Sequence, residues 1–402
     1  MRRLSKYFST NGFIKLLMVP FALITVLVMR LSKTFIHFKV FEVYKHRIGH
    51  FALETELAAL KSKYDSLNGK KTTIIFYFPD QPPANHQLEA MFRRELRCVS
   101  GNWGWLISQI SKFFKDMNIT AQRTTIDRHG LLTKMPKTLD FTTEENEHRD
   151  IENLGLRPNQ KFVCLHVRDS AFASQFFNNS SHQTYRNSEI ETFLDASEVL
   201  ANRDYVVFRT GVKVNKNLVS NNPMIVDYAT NGMRTDFLDI YLGLKASFVI
   251  STASGWDSVP TIFRRPILKV NVLPVCAYDN LSFAHLIVPK VLCDIGSKES
   301  LSLLQILDRG VERMYDNGGY TDAGVEIRDL SSEELVEAVT EMAQRVEGTF
   351  VETPEQRGMQ AKLKHILSTH PKLQPSPNYY PIRAQFASCF LSRYPNFLDG
   401  LD

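Results

Sequence analysis

Three apolar runs in the second half of the chain end in residues suited to binding a phosphate. Lys161-Phe-Val-Cys-Leu-His-Val167 leads into Arg168, Tyr205-Val-Val-Phe-Arg209 ends in a second arginine, and Phe248-Val-Ile250 leads into the turn Ser251-Thr-Ala-Ser-Gly255. Short apolar runs bounded by turn residues read as buried strands. In open parallel sheets, ligands bind beyond the carboxyl ends of the strands. A guanidinium placed there meets a phosphate with a planar fork of donors. His166 stands two residues before Arg168, so the two share a strand face. Phe208-Arg-Thr-Gly211 supplies a glycine turn after Arg209. Small residues in the third turn let an anion approach, and Ser251, Thr252 and Ser254 offer hydroxyls. Gly255 leads into a helix expected over Trp256 to Phe263, whose first N–H groups would face the ligand. Taken together, His166, Arg168, Arg209, Gly211 and the Ser251 to Gly255 turn suit a diphosphate. The competing arrangement pairs Arg168 with Asp169 and Arg209 with Asp227 as internal ion pairs.

Around this set, Tyr185 and Arg186 open a helix after the loop Ser174 to His182, and Asp257 follows the small-residue turn. Each could touch a sugar or a base, or cap an element, which is the commoner fate of such residues. Four signals are missing. The chain has no Gly-x-Gly-x-x-Gly and no Walker loop, which argues against nicotinamide chemistry and ATP hydrolysis. It has no Asp-x-Asp pair to bridge a metal to a diphosphate, and no His/Cys cluster with zinc spacing. We therefore expect a site without metal or cofactor, in which arginines stabilise the diphosphate charge.

The elements that must carry these residues alternate between strand and helix. In the first half, Phe35 to Tyr44 reads as a strand, Arg47-Ile-Gly-His50 as a turn, Phe51 to Lys63 as a helix and Thr72 to Phe78 as a strand. Two further helices are expected over Gln87 to Arg97 and Trp105 to Met117. Arg128 to Leu156 is polar and reads as a linker. In the second half, helices over Glu189 to Ala201, Asp236 to Lys245 and Ser331 to Arg345 separate strands that include Met224 to Asp227 and Ile267 to Val272. Continuous apolar strands between helices imply parallel sheet covered on both faces. The expected architecture is α/β, with two Rossmann-like domains facing a cleft. The expected divisions are 1–33, 34–156, 157–370 and 371–402, the last a Pro-rich stretch and helix packing back on the N-terminal domain.

With 402 residues, of which 44% are hydrophobic and 23% charged, the chain has ordinary globular composition. Its net charge of +5 is mild and not gathered into a basic arm, which fits phosphate ligands or a membrane surface better than nucleic acid. Five scattered cysteines suggest reduced thiols. The triplets at Asn118, Asn179 and Asn280 are formal glycosylation sequons that decide nothing about compartment. Leu16 to Met29 is apolar, contains Pro20 and has cations on both sides. It is short for a comfortable span and lacks a cleavage site, so a membrane-associating segment is expected, lying on the membrane or spanning it, with a buried helix as the alternative.

The motifs Arg47-Ile-Gly-His50, Cys164-Leu-His-Val-Arg-Asp-Ser170, Tyr185-Arg-Asn-Ser188, Phe208-Arg-Thr-Gly211, Asp227-Tyr-Ala229 and Ser251-Thr-Ala-Ser-Gly-Trp-Asp257 resemble a family of uncharacterised bacterial glycosyltransferases. The resemblance runs from about Val19 to Val272. That family looks distantly like fucosyltransferases of the GT-B type, in which a His-x-Arg at a strand end holds the nucleotide diphosphate. Those enzymes commonly show His-x-Arg-Arg, and Asp169 stands here in place of the second arginine.

The resemblance implies a nucleotide sugar as donor and a glycan or lipid-linked acceptor. It places the enzyme on the cytoplasmic side of a bacterial inner membrane, making surface polysaccharide. Donor binding falls to the C-terminal domain and acceptor binding to the N-terminal one, where Arg47 and Gly49 lie. His50 is the candidate base for the acceptor hydroxyl, with Glu54 one turn on as a second candidate. Arg168 would stabilise the leaving diphosphate. Two other readings stay open. One is transfer of pyruvyl or glycerophosphate groups to a surface polymer; the other is a non-catalytic, membrane-anchored glycan-binding scaffold.

Overall fold

The computed structural model describes residues 10–114, 117, 119–171, 181–276, 285–373 and 384–400. The three sequon asparagines and most of the expected loop from Ser174 to His182 lie outside them. The chain forms two compact units. Unit 1 comprises Met1–Asp127 and Leu131–Phe141; unit 2 comprises Arg128–Gly130 and Thr142–Asp402.

Unit 1 begins with α1 (Thr10–Leu31), followed by β1 (His37–Glu42), α2 (Ile48–Leu67), β2 (Thr72–Tyr77), α3 (His86–Glu95), β3 (Cys98–Val99) and α4 (Gly101–Ser111). The strands form a parallel sheet in the order β1-β2-β3, with His37 opposite Thr72 and Phe76 opposite Cys98. Strand alternation divides its apolar residues between two faces. Phe38, Val40, Ile75 and Tyr77 join Val26 and Met29 of α1 and Ile107 of α4 in one cluster. On the other face Phe41 and Phe76 meet at 5.4 Å between ring centroids. Asn85 caps α3 by accepting from the Leu88 N–H at 2.8 Å, and Ser100 caps α4 through the Trp103 N–H at 3.3 Å. At Gly104 a Cβ would run into the Tyr77 ring, so glycine lets α4 close on β2.

Among the described residues, unit 2 contains nine strands. These are β4 (Phe162–His166), β5 (Val206–Arg209), β6 (Ile225–Val226), β7 (Phe248–Ser251), β8 (Ile267–Val272), β9 (Leu286–Pro289), β10 (Val291–Asp294), β11 (Val325–Arg328) and β12 (Gln385–Phe386). Its helices include α5 (Leu194–Ala201), α6 (Asp236–Lys245), α7 (Ser258–Ile262), α8 (Ser332–Glu347), α9 (Pro354–Thr369) and α10 (Ser388–Arg393). Seven strands form one sheet in the order β12-β9-β8-β7-β4-β5-β6, every neighbouring pair parallel. β10 and β11 form a separate antiparallel pair. The central strands β4, β5 and β7 are apolar and buried almost throughout, as strands covered on both faces must be. Thr235 caps α6 through the Leu238 N–H, and Ser331 with Glu334 forms a capping box that starts α8.

Two expected boundaries change. Arg128 to Leu156 is no free linker, because both parts of it are tied down. Asp127 takes the N–H groups of Leu131 and Leu132 at 2.8 and 2.9 Å, and Glu56 takes that of Thr138. Beyond Phe141 the chain belongs to unit 2, where His148 stacks on Phe237 and Asp150 accepts from the Thr235 hydroxyl. The division therefore falls at 141/142 and not after 156. The C-terminal helix does not belong to the first unit either. β12 pairs with β9, and Glu341 of α8 takes the N–H groups of Ser388 and Cys389 at the start of α10, at 3.0 and 2.9 Å.

Candidate functional site

In the sheet of unit 2 the chain runs from β4 outward to β5 and β6, then returns to β7 on the other side of β4. The strand order reverses between β4 and β7, and a crevice beyond their carboxyl ends is the expected ligand position in such a sheet. The residues at those ends are His166 to Arg168 and Ser251 to Gly255. Two hydrogen bonds fasten them together. The Thr252 N–H donates to the His166 carbonyl at 3.2 Å, and the Arg168 N–H donates to the Thr252 hydroxyl oxygen at 2.7 Å.

Arg168 is partly buried, and among the described residues its guanidinium reaches only the Gln183 side-chain oxygen, at 3.5 Å. Burial, followed by the charge of Arg186, lowers its pKa to about 10. Arg186 donates to the Ala253 carbonyl at 2.7 Å, which holds it over the same turn. Asp169 does not pair with Arg168. Its carboxylate accepts instead from the N–H groups of Ala171 and Asn215. Two guanidinium groups therefore sit near each other without a carboxylate partner among the described residues. A cationic pair of this kind is stabilised by an anion.

The turn itself differs from expectation. Ser251 and Thr252 are buried, and their hydroxyls are already used: Ser251 donates to Asp257 at 2.5 Å, and Thr252 holds Arg168. Ser254 accepts from the Trp256 N–H at 3.1 Å. The helix over 256–263 is a 3₁₀ turn, Gly255–Asp257, followed by the short α7. What the turn can offer an anion is its backbone. Ala253 takes the left-handed conformation with φ 61°, and Gly255 is exposed. Asp257, expected to contact a sugar, is buried and anchors the turn from below.

His166 stacks on Trp256 at 5.2 Å, and its Nδ1 lies 3.0 Å from the Thr210 hydroxyl. Burial lowers its pKa to about 4, so it is neutral near pH 7. Arg209 is not presented to a ligand. It is 1% exposed and ion-paired with Asp227 at 3.1 Å, because β5 ends one strand further from the reversal point and Asp227 follows β6 beside it. Asp227 also accepts from the Leu218 N–H and the Thr230 hydroxyl. Gly211 is needed for space, since a Cβ there would meet Val214 at 2.7 Å. Tyr185 is buried beside Tyr320, with ring centroids 5.6 Å apart, at the wall of a cavity of about 480 Å³. Thr184, Asn187, Lys290, Asn317 and Asp329 also line this cavity. Gln183, Thr210, Trp256 and Lys290 are not among the expected site residues. Thr210 and Trp256 stand inside the motifs Phe208 to Gly211 and Ser251 to Asp257, Lys290 directly follows an apolar run, and Gln183 carries no signal.

The unit 1 candidates sit around the start of α2. Arg47 is the exposed N-cap residue, and Gly49 and His50 lie in the first turn, so the expected turn is already helix. His50 Nδ1 is 3.0 Å from Glu54 Oε1, one helical turn on. His50 is 43% exposed at its side chain and Glu54 9%, so the carboxylate is a buried orienting group and the imidazole faces outward. The tautomer that donates from Nδ1 to Glu54 leaves Nε2 with a free lone pair. Arg123, over the Tyr44 ring at 5.0 Å, adds a cation that sequence spacing gave no reason to place there.

No protein-family model matches the chain, and no curated protein matches it in sequence. Among solved structures, it is similar to the glycosyl transferase family 9 protein from Veillonella parvula DSM 2008 at 10% identity. That alignment covers 76% of this chain and 97% of that one, with a TM-score of 0.40. It is also similar to the iron-containing dodecameric glycosyltransferase TibC from enterotoxigenic E. coli H10407, at 12% identity over 60% of each chain and a TM-score of 0.29. A UDP-N-acetylglucosamine 2-epimerase aligns at 10% identity over 79% of this chain and 98% of that one, with a TM-score of 0.30. At such identities and scores these likenesses decide nothing about activity.

Proposed function

We propose that unit 2 binds the diphosphate of a nucleotide sugar and that the protein transfers the sugar to a glycan or lipid-linked acceptor without a metal ion. The observation that carries this reading is the Arg168–Arg186 pair. It stands at the reversal point of a doubly wound parallel sheet, partly buried and without a carboxylate partner among the described residues. An internal structural role would have given Arg168 an acid, as it has given Arg209 one. The two guanidinium groups would neutralise the diphosphate in the bound donor and stabilise the charge that grows on it as the sugar leaves. The cavity beside Tyr185 gives room for an uncharged part of the donor, since its Lys290 is neutralised by Asp329 at 2.6 Å. Unit 1 would hold the acceptor, with His50 taking the proton from its hydroxyl and Glu54 orienting the imidazole.

The direct test is a thermal-shift screen with GDP, UDP, CDP, ADP and TDP in excess EDTA. A ligand that binds only the folded state raises its stability by mass action. One nucleoside diphosphate should raise the melting temperature of unit 2 with the metal removed. No shift with any of the five contradicts the donor assignment, and a shift that appears only with added magnesium contradicts metal independence.

A further inference from the structure

We propose that unit 1 docks on an anionic lipid bilayer through a two-helix face formed by α1 and α4, with α1 lying along the surface and not crossing it. This inference does not depend on the sugar-transfer reading. α1 is apolar on all sides but buries only one stripe. Ala22, Val26 and Met29, at helical spacing, are 0 to 6% exposed. Leu16, Leu17, Phe21, Ile24, Val28 and Leu31 are 57 to 80% exposed. Trp105 of α4 and Phe113 just beyond it extend this face at 41 and 86%. A continuous apolar surface of this kind on a soluble unit marks a partner.

The surrounding charge identifies the partner. Residues 1–41 contain seven lysines and arginines, Arg2, Arg3, Lys6, Lys15, Arg30, Lys33 and Lys39, and no acid. Lys15, Arg30 and Lys33 stand on α1 or directly after it, so a second copy of the same face would bring like charges together, whereas anionic headgroups attract them. α1 is 22 residues long, about 33 Å, which is enough to cross a bilayer. Its packing argues against crossing. It stays beside the α4 segment along most of its length, with Lys15 over the Trp105 ring at 4.8 Å and Arg30 over the Phe114 ring at 5.2 Å. Val26 and Met29 of the stripe it buries are part of the unit 1 core with Val40, Tyr77 and Ile107. Crossing would strip that core or carry Asn102, Ser108 and Gln109 of α4 into hydrocarbon.

The test is flotation of the full-length protein with vesicles of phosphatidylcholine alone or mixed with phosphatidylglycerol. Wild type and the double variant Phe21→Glu/Ile24→Glu, altered only on the exposed face, would be compared. Wild type should float with the mixed vesicles, more weakly at high salt and with phosphatidylcholine alone, and an alkaline carbonate wash should release it. The variant should partition about tenfold or more weakly, as expected from losing two apolar side chains at the interface. Equal flotation of variant and wild type overturns the proposal. So does protein that resists the carbonate wash, which indicates crossing. Absence of flotation together with a dimer that the variant dissociates would assign the face to a second copy. The vesicle comparison and the wash on wild type decide the question even if the variant fails to fold.

Discussion

Arg168 and Arg209 have the same side chain and occupy the same kind of position at the end of a buried strand, yet they have opposite fates. Arg209 lies beside Asp227, and removing one member of a buried ion pair leaves an uncompensated charge. Arg168 has a second arginine as its neighbour and no carboxylate partner among the described residues. Nothing local separates the two, since Asp169 is adjacent to Arg168 in sequence and turns away to cap backbone N–H groups. His166, between them in the sheet, makes a separate prediction. Burial lowers its pKa from 6.5 to about 4, so between those values the unfolded chain binds the proton and the folded chain does not. Its contribution to stability is complete above about pH 6.5 and is lost as pH falls towards 4. Asp239, raised by burial to about 6, acts in the opposite sense over the same window, so wild type alone shows a blunted slope. The stability difference between wild type and His166→Gln, measured by denaturant unfolding of unit 2, should therefore shrink by roughly 1.4 kcal/mol per pH unit as pH is lowered through this window. A flat difference contradicts a buried neutral His166.

At the scale of elements, α2 turns a histidine into a candidate base. The four-residue spacing puts Glu54 under His50, and the helix holds both in place without help from a loop. His50→Gln should lower transfer about a hundredfold or more while leaving nucleotide affinity unchanged, since His50 lies in unit 1 and Arg168 in unit 2. Glu54→Gln keeps the shape and should lose less. Full turnover in His50→Gln would make the pair structural. Elements like this, set by local signals, were legible in the sequence. Asp236 to Lys245 and Ile267 to Val272 appear with the expected limits, because Thr235 caps one and the other follows Pro266 with apolar residues at four of its six positions. The short strands β9 to β12 were not legible, and neither was α9, although the capped helix α8 between them was. Strands of two to four residues have no period to read, and their partners are set by the sheet as a whole. The same holds for the site. The strand ends were readable, but which hydroxyls were already bonded and which arginine was already paired depended on residues many positions away.

The whole molecule joins a unit with an exposed apolar helix to a unit with an arginine pair at the reversal point of its sheet. The apolar segment cannot be treated as a detachable anchor. Ala22, Val26 and Met29 are unit 1 core, each contributing about 1–3 kcal/mol when buried. Deleting residues 1–31 should lower the melting temperature of unit 1, followed by Trp103 and Trp105, and leave the transition of unit 2, followed by Trp256, in place. Unchanged melting of both units would show that α1 is not part of the fold. The central claim, that Arg168 holds a nucleotide diphosphate, is tested most directly by titration calorimetry of the nucleoside diphosphate giving the largest thermal shift. Wild type, Arg168→Ala and Arg209→Ala would be compared, with melting temperatures taken on the same samples. A hydrogen bond to a charged group contributes about 1.5–3 kcal/mol, so Arg168→Ala should bind about ten- to hundredfold more weakly at near-native stability. Arg209→Ala should instead lose stability, by about 3–5 kcal/mol for a broken buried pair. An Arg168→Ala protein that is destabilised but binds the nucleotide as tightly as wild type would contradict the account.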